Sequence, residues 1–263
     1  MRKSGRKLVS AVLTAAMALS LAACGGQAAD ATTAAETTTE AASQEETTAQ
    51  ETTEEESQAE EPADNQQADI VVIGAGGAGM TAAIQAVQDG ATDVVILEKM
   101  PVTGGNTTRS TGGLNAAGTS YQEADGVEDS VELFVEDTMK GGKELNDKEL
   151  VTVMAENSAG AVDWVNEIGG DLSVVGMFGG ASVKRIHRPT DTSAVGPMLV
   201  KALNAKTEEL GIPVILETTA EKILVDDRGK VCGVTGTDKD GQEFTIDCTA
   251  VVLATGGFGA NSD

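Results

Sequence analysis

Asp69-Ile70-Val71-Val72-Ile73-Gly74-Ala75-Gly76-Gly77-Ala78-Gly79-Met80-Thr81-Ala82-Ala83-Ile84-Gln85-Ala86-Val87-Gln88-Asp89 is the stretch that decides the fold. Ile70 to Ile73 is a short apolar, β-branched run and reads as a buried strand. Gly74 to Gly79 is a glycine-rich turn, and Met80 to Asp89 repeats Ala, Ile and Val at helical spacing. A second run, Val94-Val95-Ile96-Leu97, ends at Glu98. Strand, turn, helix and strand make a βαβ unit, whose parallel strands need a right-handed crossover. The turn fits G-x-G-x-x-G, a weak signal by itself in a chain with 31 Gly. Here a strand precedes it, a helix follows it, and an acid stands 19 residues after Gly79 at the end of the next strand. That context is the one in which a dinucleotide is held. Gly74 allows the tight turn, Gly76 lets backbone approach a pyrophosphate, and Gly79 lets helix and strand pack closely. The helix N-terminus offers unpaired N–H groups and partial positive charge, and Glu98 can accept hydrogen bonds from ribose hydroxyls. A merely structural glycine turn is the alternative.

Working outward, residues 128–140 and 147–168 read as amphipathic helices opened by acidic or Asn residues, and 193–210 as a third, ended by Gly211 before Pro213. The period then changes from 3.6 to 2. Val214-Ile215-Leu216, Lys222 to Val225, Val231 to Val234 and Phe244 to Cys248 read as strands, with turns at Asp227-Arg228-Gly229 and Asp238 to Gln242. The last three form an antiparallel meander. Val251-Val252-Leu253-Ala254 is one more buried strand, running into Thr255-Gly256-Gly257. The expected fold is an α/β, three-layer, Rossmann-like core with an inserted antiparallel β-meander.

Composition sets the limits. The chain carries 18 Lys and Arg against 42 Asp and Glu. Residues 69–263 keep a net charge of −16, which excludes nucleic-acid binding by a basic face. Aromatics at 2% leave no stacking platform for single strands. Residues 1–7 are basic, Leu8 to Ala22 is uncharged and apolar, and small residues lead to Cys24. This is the layout of a secretory signal. Its ending, Leu21-Ala22-Ala23-Cys24, resembles the bacterial lipobox, which implies acylation at Cys24 and a membrane anchor that does not span. An ordinary signal or an uncleaved anchor helix is the alternative. Residues 25–68 hold twelve anions and no cation, lack apolar periodicity, and are expected to form a disordered tether. The organisation expected is therefore a signal over 1–24, a tether over 25–68 and a folded domain over 69–263, at the extracytoplasmic face of the cell membrane.

Beyond Glu98 come Lys99-Met100-Pro101-Val102-Thr103-Gly104-Gly105-Asn106-Thr107, then Ser110-Thr111-Gly112-Gly113-Leu114-Asn115. Later come Gly180-Ala181-Ser182-Val183-Lys184-Arg185, His187-Arg188-Pro189-Thr190 and Leu253-Ala254-Thr255-Gly256-Gly257-Phe258. In that order they closely resemble the FAD-binding domain of the fumarate reductase and succinate dehydrogenase flavoproteins, nearest to flavocytochrome-type fumarate reductases and urocanate reductases. The resemblance covers about residues 69–261. It implies FAD as cofactor, with Gly74, Gly76, Gly77, Ala78 and Gly79 at the pyrophosphate and Glu98 at the ribose, Lys99 beside it. Asn106 and Thr107 are then expected along the ribityl-pyrophosphate, Thr111, Gly112 and Gly113 along the isoalloxazine, Thr255 and Gly256 at the same cofactor, and Ile223 near adenine.

It also implies hydride delivery from flavin N5 to the C=C bond of an unsaturated carboxylate, with an Arg acid and with His and Arg clamps on the carboxylate. In the family those residues follow the Thr-Gly-Gly-Phe motif, and the sequence ends soon after it, so a fragment without the capping domain is expected. No C-x-x-C-H is present, so electrons are expected from a separate donor. His187 is the only His, and with Arg185 and Arg188 it forms the one basic cluster of the body. His187 and Arg188 are the catalytic candidates, the other reading being a structural turn paired with nearby acids. No metal site is expected. Cys232 and Cys248, on successive meander strands, read as two small buried thiols or a cross-strand disulfide. Oxidases and dehydrogenases of the same fold, a simple NAD dehydrogenase, and a non-catalytic lipoprotein with a flavin fold are the competing readings. Gly104-Gly105-Asn106 argues against the NAD reading.

Overall fold

The protein, seen as a computed structural model, is described over residues 66–257 and at residue 259. Strand β1 (Gln66–Ile73) leads through the glycine turn into helix α1 (Gly77–Gln88) and strand β2 (Val94–Leu97). A 3-10 turn (Gly105–Arg109) and strand β3 (Leu114–Asn115) come next. Four helices follow: α2 (Ser120–Ala124), α3 (Val131–Gly141), α4 (Lys148–Glu156) and α5 (Ser158–Glu167). Strands β4 (Val174–Gly176) and β5 (Ile186–Arg188) precede helix α6 (Val195–Glu209). Strands β6 (Val214–Ile215), β7 (Thr219–Val225), β8 (Val231–Thr237) and β9 (Glu243–Leu253) complete the described chain.

Six strands form the main sheet in the order β6-β2-β1-β9-β8-β7. The pairings β6–β2, β2–β1 and β1–β9 are parallel, and β9–β8 and β8–β7 are antiparallel. Successive side chains of a strand point to opposite faces, so Val72 and Val71 seed two different cores. Val72, Val94 and Ile96 pack with Met80, Ala83 and Ile84 of α1 and with Val200 and Leu203 of α6. Val71, Ile73, Val95 and Leu97 face Val234, Ile246 and Cys248 of the meander. Helices, parallel sheet and meander are thus the three layers. Each fully buried Val, Ile or Met contributes about 1.5–3 kcal/mol here. A smaller sheet, β3-β5-β4, lies with α2 to α5 in a second region, cored by Ala116, Val162, Val165 and Leu172.

Four sequence expectations change. The first strand starts at Gln66, inside the stretch assigned to the tether, because Gln66 to Ala68 find backbone partners in Ile246 to Cys248. Ladder bonds come from the main chain, so two glutamines extend a strand that hydropathy ends at Asp69. The helix expected over 147–168 breaks at Asn157, whose amide donates to the Val153 carbonyl while Ser158 Oγ donates back to the Ala155 carbonyl. The runs at 244–248 and 251–254 are one strand, β9, which pairs with β8 through its first half and with β1 along most of its length. His187-Arg188 is strand β5 rather than a turn, and the acids pair with Arg185 instead. The caps also sharpen: α3 is opened by Ser130, and α4 by Asp147, whose carboxylate accepts from the N–H groups of Glu149 and Leu150. Cys24 and nearly all of the tether lie outside the described residues. Cys232 and Cys248 are free thiols, Cys248 buried and Cys232 exposed at a bulge in β8. No helix among the described residues is long and apolar enough to cross a membrane.

Candidate functional site

The chain leaves β1 at Gly74 with φ 106°, a conformation that favours glycine. Gly74 N–H donates to the Leu97 carbonyl and the Gly104 N–H to the Ala75 carbonyl, so the turn is clamped to β2 and to the loop after it. The three motif glycines differ in their surroundings. A Cβ on Gly74 would sit 2.5 Å from the Ala254 oxygen, and one on Gly79 would overlap the Gly74 carbonyl. A Cβ on Gly76 would meet nothing nearer than the Gly104 oxygen at 3.9 Å. Gly74 and Gly79 therefore serve close packing, whereas Gly76 borders open space.

That space faces the N-terminus of α1. Gly76 is the N-cap and brings no side chain, the first turn has no acid, and the N–H groups of Ala78 and Gly79 have no acceptor among the described residues. The Gly77 N–H is bonded at 3.0 Å to Thr107 Oγ1, which brings the 3-10 turn against the helix. Unpaired amides and the helix dipole suit a diphosphate, and the uncrowded Gly76 leaves it room. Glu98, 8% exposed, accepts from Ala75 N–H at 2.8 Å through one oxygen and from Met100 N–H at 2.9 Å through the other. Each oxygen keeps a second lone pair for a sugar hydroxyl. So Glu98 also fastens the glycine turn, a role the motif alone did not disclose.

The structure brings Gly74 to Gly79, Glu98, Lys99, Thr107, Thr255 and Gly256 to one edge, at the carboxyl ends of β1, β2 and β9. Ligands of open α/β sheets bind at such an edge. Thr255 packs against Gly74. Asn106 and Lys99 are exposed on its rim. Sequence reasoning missed Thr218, which is buried and donates its N–H to the Glu98 carbonyl, so that the chain enters β7 beside the acid. Ile223 lies four residues past the start of β7, exposed and opposite Val234.

Thr111, Gly112 and Gly113 form a second group, in the segment that leads into β3 and packs against β5. A Cβ on Gly113 would overlap the His187 carbonyl and meet Arg188 Cγ at 2.9 Å. His187 is fully buried, with Nδ1 2.9 Å from the Arg185 carbonyl and Nε2 2.8 Å from Thr119 Oγ1. The carbonyl can only accept, so Nδ1 carries the proton and Nε2 accepts from the threonine. Burial lowers the His187 pKa and keeps the ring neutral, against the raising effect of the Arg185 and Leu114 backbone. Arg188 lays its stem on Gly113, and its Nε is buried without a partner among the described residues. Arg185, 1% exposed, is held by Asp129 and Asp137 at 2.7 and 2.8 Å and lies 4.7 Å from the Phe134 ring centre. Burial works against its charge, and the two carboxylates overcome that and raise its pKa. No group of three or more metal-binding side chains occurs among the described residues.

A family described as FAD binding domain matches residues 69–262. The fumarate reductase (cytochrome) of Shewanella frigidimarina is 44% identical over 201 residues, covering 76% of this chain and 35% of the relative. The urocanate reductase of Eggerthella lenta is 38% identical over 197 residues, covering 73% and 32%. The open conformation of a flavocytochrome c3 fumarate reductase superposes with a TM-score of 0.72 at 42% identity, over 74% of this chain and 35% of that one. The chain thus spans about a third of the length of the relatives it matches.

Proposed function

The chain belongs to the FAD-binding domain family, and from that premise we propose that it is the flavin-holding part of an exported, lipid-anchored reductase of unsaturated carboxylic acids, of the fumarate or urocanate type. The observation that carries the reading is the open backbone at Gly76, with free α1 amides on one side and Glu98 on the other. Bound FAD supplies the hydride. The protein's own part is to bind and orient. The amides of Ala78 and Gly79 take the diphosphate, the spare lone pairs of Glu98 take ribose hydroxyls, and the Gly112-Gly113 backbone, which β5 packs against where side chains would stand, supports the flat ring. Like its relatives' substrates by name, fumarate and urocanate, the proposed acceptor is a small carboxylate with a C=C bond.

His187 and Arg185 do not protonate it. His187 is buried with both nitrogens bonded, and Arg185 is locked between two aspartates. Proton delivery and the carboxylate clamp are assigned to protein outside the described residues, as the sequence resemblance implies, and electrons to a separate donor. Export and anchoring rest on the basic start, the apolar run and Cys24. The test of the whole is direct. The purified protein is expected to be yellow, to release FAD on denaturation and, in its longest natural form, to oxidise a reduced dye with fumarate or urocanate. A colourless protein that ignores added FAD overturns the reading. Cys24→Ala is expected to abolish membrane partitioning, and unchanged partitioning removes the anchor.

A further inference from the structure

A run of buried polar contacts stands behind the second glycine pair, and neither the diphosphate site nor the apolar cores account for it. Thr119 caps α2 by accepting the Gln122 N–H, and Gln122 Oε1 accepts the Thr119 N–H in return. The Gln122 amide donates to Asp129 and to the Lys184 carbonyl, and Asp129 receives Arg185. Thr119 Oγ1 then donates to His187, whose other nitrogen closes the circuit on the Arg185 carbonyl. Leu114 lies opposite His187 across β3 and β5, so whatever fixes His187 fixes the strand that Gly113 leads into. The contact is close enough that no side chain fits on Gly113.

The same segment is tied to the diphosphate site by a short piece of chain. Gly112 follows Thr107, which bonds the first turn of α1, by only five residues, a reach of at most about 18 Å. The two ends of an FAD would thus rest on separately built supports. One is the glycine turn with Glu98. The other is a backbone whose position depends on a buried hydroxyl–imidazole pair.

We infer that the Thr119–His187 hydrogen bond positions the Gly112-Gly113 backbone for the flavin ring, and that it contributes to FAD affinity while leaving ADP affinity untouched. The inference rests on the FAD reading above. ADP shares the diphosphate, ribose and adenine of FAD and lacks the ring. A buried polar group that loses its partner becomes unfavourable, and the strand carrying it shifts to find another.

The experiment measures dissociation constants of FAD and of ADP for the full 263-residue chain and for Thr119→Val, which matches volume but removes the hydroxyl. FAD affinity is expected to fall at least tenfold, with ADP affinity changed less than twofold. Thr119→Ser, which keeps the hydroxyl and the cap, is expected to restore FAD binding. If Thr119→Val does not fold, His187→Asn is measured in its place, because its amide can still meet the Arg185 carbonyl but falls short of Thr119. The same split is expected. Equal losses for both ligands, or unchanged FAD affinity in a folded variant, overturn the inference. A wild-type chain that binds ADP and not FAD overturns the FAD reading itself, before any variant is made.

Discussion

The glycine turn at 74–79 and the polar circuit around His187 both hold backbone in place, and they do so by opposite means. At the turn, side chains are removed: Gly74 and Gly79 are packed so closely that a Cβ has no room. Around His187, side chains are added, and five polar groups bury themselves by satisfying one another. Steric fit tolerates no substitution but costs nothing in desolvation. A polar circuit must recover several desolvated groups, and fails as a unit when one is lost.

The largest effect that would test this contrast is at Arg185. Arg185→Ala leaves Asp129 and Asp137 without their cation, and a loss of about 3–5 kcal/mol is expected in urea unfolding. A loss under 1 kcal/mol would show that the circuit does not act as a unit. Gly79→Ala comes next, with about 1–3 kcal/mol from overpacking against the Gly74 carbonyl. Gly76→Ala should fold as the wild type does and lose FAD, since its Cβ enters only the open space. If Gly76→Ala melts like Gly79→Ala, the division of labour among the glycines is wrong.

A pH titration separates the two regions further. The folded pKa of His187 is lowered below 6.5, so the unfolded chain takes up a proton first. Stability is then full above about pH 6.5 and falls as the pH drops through and below that value. Asp171 acts in the same direction but later. Its side chain is bonded by Ser173 and the Thr190 backbone, and its pKa is lowered from 3.8 to about 2. A decline in thermal midpoint already between pH 6.5 and 5, absent in His187→Asn, identifies the imidazole. The smallest effect is expected at the surface pair Lys206–Glu209, where Lys206→Ala should change stability by less than about 0.5 kcal/mol.

Reading the sequence succeeded where function constrains neighbours in the chain. The second strand is legible at Val94 to Leu97, its bounds in the structure, because a buried parallel strand is a continuous apolar run. The meander follows from its period and its turns at Asp227-Arg228-Gly229 and Asp238 to Gln242. It failed where pairing overrides composition, as at Gln66 and Gln67, and where side-chain bonds to the preceding turn break a helix, as at Asn157 and Ser158, whose hydroxyl also accepts the Ala117 N–H. His187 and Arg188 read, with Arg185, as one basic cluster. Strand geometry separates them, one buried beneath Thr119 and the other laid over Gly113. Thr218 carried no signal at all, since its link to Glu98 runs through main-chain atoms.

From residue order alone came the βαβ unit, the glycine turn and the acid that follows it, because each depends on spacing within some thirty residues, and the family likeness, because its motifs recur in order along residues 69–261. Which glycine is filled and which is open, and that Glu98 fastens the turn it serves, were settled only in three dimensions. So was the joining of Thr119, Gln122, Asp129, Arg185 and His187 into one buried circuit. Contacts between segments sixty residues apart are set by packing and by hydrogen-bond geometry, and neither leaves a period in the chain.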